Sequence, residues 1–559
     1  MLSQYIKIIT VLVLSALFCT QTAWAAIRSP GEIQDLNRRS REEAEQRQNL
    51  QQKKDVFLQK GQIETSDTSL PAEKLSFPIR TLVLQGERLD RFPWLQPMLN
   101  KYAGRDIGKE GINLIVKRLT NELINRGYVT SRIVIPEQDL SSGTLRLTIV
   151  PGIISQIRFD RQDHSGNWHN AFPTRPGDIL NLRDLEQGLE QLKRVPSQDA
   201  DFKIEPGKNP GESEIVIHIT ESQNVRAVLS FDDSGSKETG KLQSSVTLAF
   251  DNPFNVNDLF NISFNKDADH ENNLRGTDDY SLYYSFPSGN WTFTLSTQHH
   301  TYHQTVQFPN QTLPYSGDSD SSELKIDKLI HRDQTSKTHL EFNISTKKSR
   351  NFAADTEIDV QHKNTTAAEL AIAKRQYFGK KTLDLRLAYK RGVPWFGAQQ
   401  DREPSNAATT RYNIWIAEAN YNTPVTLGNV EGKYSATFRV QSTNNVLYAV
   451  DYFSIGNRYT VRGFDGEQTL AAERGYFLRN ELSVPLGKQE MYVGLDYGQV
   501  RGPAAAALSG KVLAGAAIGF RGSIQGGVNY EVFSAWALKK PNGIHTATPA
   551  IGFQLIYQI

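Results

Sequence analysis

From residue 223 onward, apolar and polar residues alternate in short runs separated by polar turns. In KTLDLRLAYK (381–390), Leu383, Leu385, Leu387 and Tyr389 share one face, and Asp384, Arg386 and Lys390 share the other. KYSATFRVQ (433–441) repeats this with Tyr434, Ala436, Phe438 and Val440 against Lys433, Ser435, Thr437 and Arg439. A period of two puts successive side chains on opposite faces of a strand. The pattern predicts strands at 226–232, 241–250, 258–265, 278–286, 290–299, 322–331, 336–346, 366–377, 381–390, 411–421 and 430–441. After a long loop, about 442–474, come 475–485, 489–499, 512–521, 524–533 and 549–559. A series of about 16 strands with aromatic-rich apolar faces fits a transmembrane β-barrel, and an even number returns both ends to one side. A soluble β-sandwich alternates as well, but the length of this series and the export signal described below favour the barrel. A barrel of this size encloses water unless something plugs it.

Upstream the period changes. GKEGINLIVKRLTNELINRGY (108–128) places Ile112, Ile115, Val116, Leu119 and Leu123 at helical spacing. It follows the strand IRTLVLQG and precedes the strands VTSRIVIPE and TLRLTIVPG. The same order recurs in IISQIRFD, the helix NLRDLEQGLEQLKRVPS, DFKIEPG and SEIVIHITE. Two copies of a strand–helix–strand–strand unit therefore occupy 76–152 and 153–222.

The N-terminus sets the compartment. Lys7, an apolar run from Ile8 to Phe18 and the Ala23-Trp24-Ala25 site predict a signal peptide over 1–25. The run is short for a bilayer span, and Ala504–Phe520, rich in small residues and interrupted by Lys511, is no better. The single cysteine, Cys19, lies in the leader, so the mature chain has neither disulfides nor a Cys-based zinc site. Ser29, Pro30 and Glu32 are helix-start residues. They open a charged stretch, 26–54, with almost no apolar face, which suits a helix in water, either a solvated arm or a plug in a wet pore. Residues 55–75 read as a linker. With 63 Lys+Arg against 61 Asp+Glu, the chain lacks the concentrated positive charge of a nucleic-acid-binding surface.

Several motifs then point one way. GYVTSRIVIPEQDLSSGTLRLTIVPG (127–152), LNLRDLEQGLEQLKRVPS (180–197), DNPF (251–254), YSFPSGNW (284–291) and VRGF (461–464) resemble, in order and across the mature chain, the TpsB family. These are the outer-membrane transporters of two-partner secretion. The resemblance implies a plug helix, a linker, two periplasmic POTRA domains (76–152 and 153–222) and a 16-stranded barrel (223–559). It also implies that the long loop folds back into the barrel and presents Val461, Arg462, Gly463 and Phe464, the arginine meeting an acidic residue on strand 13. Here that strand is MYVGLDYGQV (491–500). With Met491, Val493, Leu495 and Tyr497 facing lipid, Asp496 faces the lumen and is the expected partner of Arg462. A charge pair could pin a loop with little hydrophobic surface to bury, and lumenal water would soften the loss of either partner.

The implied partners are one cognate large exoprotein, recognised through its N-terminal secretion domain, and outer-membrane lipid. Barrel-assembly machinery and periplasmic chaperones are implied during biogenesis, and the pore is expected to be monomeric. No nucleic acid, catalytic constellation, cofactor or metal is expected, and the chain reads as a transporter rather than an enzyme. Alternatives are a barrel-assembly insertase of the same superfamily and a passive porin or receptor; the latter would have no use for POTRA units. GSKETGKL (235–242) misses the phosphate-binding loop pattern at Leu242 and reads as a polar hairpin tip. HHTYH (299–303) sets His299 and His303 on one face, a weak metal spacing with no acidic partner evident, and reads as a hydrated loop base. Asp232, Asp233, Ser234 and Gly235 read as a turn. The family usually ends in an aromatic residue; this chain ends in Ile559, with Phe553 and Tyr557 facing outward.

Overall fold

The computed structural model describes residues 55–57, 68–161, 166–269, 274–308, 311–401, 407–524 and 526–559. The expected leader and plug helix lie outside the described residues.

In the first α+β unit, helix Lys109–Asn125 turns Ile112, Ile115, Leu119 and Leu123 into the core. They pack on a sheet in which Thr81–Gly86 runs parallel to Thr144–Val150, and Arg132–Val134 pairs antiparallel on its other side. The second unit repeats this: Ile153–Phe159 parallel to Glu212–Glu221, Gln198–Pro206 antiparallel to it, and helix Leu182–Lys193 above. Asn181 caps that helix by accepting the Arg183 amide at 2.8 Å. The alternation did not foretell helix Leu95–Asn100 or the pairing of Ser76–Ile79 with Arg105–Gly108. These pieces are too short to carry a period.

The stretch read as a linker is tied down wherever it is described. Glu73 caps helix Lys109–Asn125, accepting the Glu110 and Gly111 amides at 2.9 and 2.8 Å. The Thr68 and Ser69 carbonyls accept from Arg105 and Arg118, and Val56 joins the second unit's core. Polar residues that break any period still serve as caps and acceptors.

Among the described residues, sixteen long strands, from Val225–Asp232 to Ala550–Gln558, close an antiparallel barrel. Leu370, Ile372, Leu385 and Leu387 stand exposed on its outer face, as a lipid-facing band requires, while Asp384 and Arg386 point inward to Arg375, Glu341 and Glu369. Several expected ranges need correction: those at 336–346 and 411–421 run to Ser336–Ala353 and Asn413–Leu427, and two others change the reading. The strands expected at 290–299 and 322–331 extend to Trp291–Phe308 and Gln311–Arg332, so 299–303 is strand rather than loop base. Above the lipid the apolar face ends but the backbone ladder does not, because two polar strands still satisfy each other's hydrogen bonds. The fifteenth strand is Val528–Lys539, not 524–533. Gly526 and Gly527 take positive φ, and the Ile524 amide closes the turn onto the Val528 carbonyl at 2.9 Å.

Candidate functional site

Arg462 sits at the tip of the long loop between strands Val430–Thr443 and Arg474–Leu486, and the loop is folded into the barrel. Its backbone amide donates to Asp496 Oδ2 at 3.0 Å, Nε to the same oxygen at 2.7 Å, and Nη2 to Oδ1 at 2.9 Å. This is the paired geometry that a planar guanidinium makes with a carboxylate. Nη1 donates to Glu481 Oε2 at 2.8 Å, and Nη2 also donates to the Asn480 carbonyl at 2.8 Å. Arg462 is 2% exposed and Asp496 4%. The site is dry, which corrects the expectation that lumenal water would soften a loss there.

The wall is shaped for the loop. Strand Gln489–Arg501 alternates, so exposed Val493, Leu495 and Tyr497 leave Gly494 and Asp496 inside. A Cβ at Gly494 would fall 2.1 Å from Arg462 Nη2, and one at Gly515 1.7 Å from the Arg462 carbonyl oxygen. Gly463 turns the chain with φ 102°, a conformation that favours glycine. Val461 and Phe464 are buried with Phe453, Ile455, Leu470, Phe477, Val500 and Leu513. The loop therefore carries an apolar core of its own, contrary to the expectation of little hydrophobic surface. That core comes from residues scattered over the loop and three barrel strands, with no period to announce it.

Sequence reasoning missed the outer members of this network. Glu481 is shared with Arg521 Nη1 at 2.8 Å, Arg521 pairs with Glu490 at 2.9 Å, and the Tyr492 hydroxyl donates to Glu531 at 2.6 Å. Charged residues at inward positions of adjacent strands were the available signal.

A second constellation joins the second α+β unit to the barrel, and three of the quoted motifs meet there. Asp251 of DNPF accepts the Ser197 amide at 2.8 Å and pairs with Arg226 at 2.9 Å. Arg194 donates to the Asn257 carbonyl at 2.9 Å and to Ser285 Oγ at 2.6 Å, within YSFPSGNW. Gln191 reaches the Gly289 carbonyl at 3.1 Å. Nearby, Asp55 and Val56 are held between unit and barrel. Asp55 pairs with Lys337 and, at 2.8 Å, with Arg375. The Val56 amide donates to Glu190 at 2.7 Å, and the Val56 carbonyl accepts from Arg332. Burial alone would push the Glu190 carboxyl up, but Lys337, Arg332 and the Val56 amide bring it down to about 2.

His299 does have an acidic neighbour, Asp320 at 2.7 Å across the hairpin, a partner that only strand pairing reveals. Among the described residues no group of three or more His, Cys, Asp or Glu side chains is placed to hold a metal.

A family profile described as haemolysin secretion/activation protein ShlB/FhaC/HecB matches residues 211–522. Profiles described as POTRA domain, ShlB-type, and POTRA domain match 77–152 and 153–206. Outer membrane transporter CdiB-2 of Burkholderia pseudomallei is 39% identical, over 93% of this chain and 94% of that one. Hemolysin transporter protein ShlB of Serratia marcescens is 28% identical, over 81% and 79%. Among solved structures, CdiB from Acinetobacter baumannii matches with a TM-score of 0.85 at 26% identity, covering 95% of this chain and 100% of that one.

Proposed function

From the premise that this chain belongs to the ShlB/FhaC/HecB family of haemolysin secretion/activation proteins, the outer-membrane transporters of two-partner secretion, we propose how it handles its exoprotein. The POTRA units stand in the periplasm and take the unfolded N-terminal secretion domain of one cognate exoprotein. Strand addition supplies the backbone hydrogen bonds, and an adjoining apolar groove supplies the selectivity. In the first unit, a groove of about 540 Å³ lined by Leu75, Phe77, Ile112, Ile135 and Leu140 runs beside the short edge strand Arg132–Val134.

The exoprotein then enters the lumen, where the Arg462 loop, and the plug expected from residues 26–54, must give way. The observation that carries this reading is the buried contact of Arg462 with Asp496 and Glu481. It fastens the loop to the wall by polar groups that can be exchanged without breaking any barrel ladder. Val461, Gly463 and Phe464 seat that contact: the glycine gives the turn and the two apolar residues give the loop its core.

Each POTRA unit has its own core, so a fragment of residues 68–222 is a fair test object. It should bind the unfolded N-terminal domain of the cognate exoprotein and ignore an unrelated one, as read by titration calorimetry. An absence of binding at concentrations on the order of 100 μM would remove the POTRA units as the recognition element.

A further inference from the structure

The loop that carries Arg462 holds a second arginine, partly buried with its side chain 17% exposed, whose contacts lie on a different part of the wall. Arg458 Nη2 donates to Asp233 Oδ1 at 2.7 Å, and Nη1 approaches the Phe553 carbonyl at 3.5 Å. The guanidinium lies 4.9 Å from the Phe533 ring centroid. Arg479 Nη1 fixes the arginine's backbone by donating to the Arg458 carbonyl at 2.7 Å. Asp233 directly follows the first strand, and Phe553 belongs to the last. These are the two strands that close the barrel.

Their ladder is short. It pairs Val228–Asp232 with Gln558–Gln554, five residues, and Ala227 with Ile559 continues it at the periplasmic end. The flanking ladders, second strand on first and fifteenth on last, run over eight residues each. Above Gln554 the last strand continues through Phe553 to Ala550 without a ladder partner from the first strand. At that point side chains take over. Asp233 Oδ1 accepts the Phe553 amide at 2.8 Å, in place of a strand carbonyl, and Arg458 holds the same carboxylate oxygen. Lys241 also faces Asp233, at a looser 3.8 Å. Gly552 keeps the space open, since a Cβ there would fall 2.1 Å from Arg458 Nη2.

We infer that Arg458 is a positioning residue that staples the barrel seam, so that the position of the inward-folded loop and closure of the upper seam are coupled. With the loop docked, Arg458 holds Asp233 against the last strand. A loop that leaves the lumen takes the arginine with it, and the seam above Gln554 keeps only the Asp233 contact. This is separate from the Arg462 contact and does not depend on how the exoprotein is recognised.

The test is hydrogen–deuterium exchange on the full-length protein in detergent. Arg458→Ala should speed exchange in peptides covering 225–235 and 550–559 by roughly tenfold or more, while the strand at 381–392 keeps its protection. Asp233→Asn should do the same without changing any loop residue, and it decides the matter if Arg458→Ala fails to assemble. A disulfide across the directly opposed pair Leu229 and Tyr557, made as Leu229→Cys with Tyr557→Cys, should restore protection of both seam peptides in Arg458→Ala. The one native cysteine, Cys19, lies in the expected leader, so no thiol competes. Unchanged seam protection in both variants would overturn the inference, as would an equal loss at 381–392.

Discussion

Arg462 makes its contacts through every nitrogen it has, and Asp496 takes three of them. Glu481 keeps Arg521 at 2.8 Å if Arg462 is lost, whereas buried Asp496 loses its paired guanidinium and keeps the Asn480 amide at 3.3 Å and the charge of Arg479 nearby. Breaking a buried pair by removing one partner costs about 3–5 kcal/mol. Arg462→Ala and Asp496→Ala should therefore each sharply reduce export of the exoprotein. Barrel abundance in the outer membrane should stay near the parent's, because no ladder and no lipid-facing residue changes. The double variant should lose less than the sum of the singles, since its second change removes the orphaned charge. Arg462→Lys should recover little, because one ammonium cannot serve Asp496, Glu481 and the Asn480 carbonyl together. Export assays paired with quantitation of the folded barrel check all of these; strictly additive losses would mean that the two residues act separately.

At the scale of elements, helix Leu182–Lys193 and the segment at Asp55–Phe57 form one latch at the periplasmic rim. Glu190 is the hinge of its electrostatics: its carboxyl sits at about 2, below the usual 4.5. A depressed acid stabilises the docked arrangement above about pH 4.5, and that contribution, about 3 kcal/mol, is lost as the pH falls from 4.5 through 2. Conductance in planar bilayers should thus stay low from neutral pH to about 5 and rise on further acidification. Glu190→Gln should raise conductance at pH 7 and flatten that profile. Deleting residues 30–52 should raise it further while leaving much of the export intact, since the charged stretch suits a wet lumen better than a packed core. Unchanged conductance after the deletion would remove the plug role.

At the scale of the whole molecule, recognition and passage are joined through the junction where Asp251, Arg194, Ser285 and Gly289 meet. Replacing Arg194 by alanine leaves the Asn257 and Ser285 carbonyls without their donor, at a cost of about 1–3 kcal/mol for each buried group. Arg194→Ala should keep exoprotein binding by the POTRA units and keep a folded barrel, yet lower export by disorienting one against the other. A pull-down on solubilised full-length protein, set beside the export assay, separates the two effects. Equal loss of binding and export would show that the junction shapes the recognition surface itself.

Periodicity alone determined the large parts of this protein. A repeat of two over the last three-fifths of the chain puts one face of each strand in an apolar setting, and the length of the series with the export signal favoured a barrel over a sandwich. The helical spacing of Ile112, Ile115, Leu119 and Leu123 likewise fixed the first unit's core. Asp496 was legible because the family resemblance pointed to its strand and alternation there left it inside. Tertiary structure decided whatever depends on which residues meet across the lumen or between units. Glu481 and Arg521 belong to separate strands, and no spacing in the chain records that they gather at Arg462 or that Arg458 reaches Asp233. The apolar core of that loop, the capping of a helix by Glu73 and the pairing of His299 with Asp320 were hidden for the same reason. A local pattern fixes the direction of a side chain relative to its own backbone, whereas its partner is chosen by the closure of the barrel and the return of the loop into it.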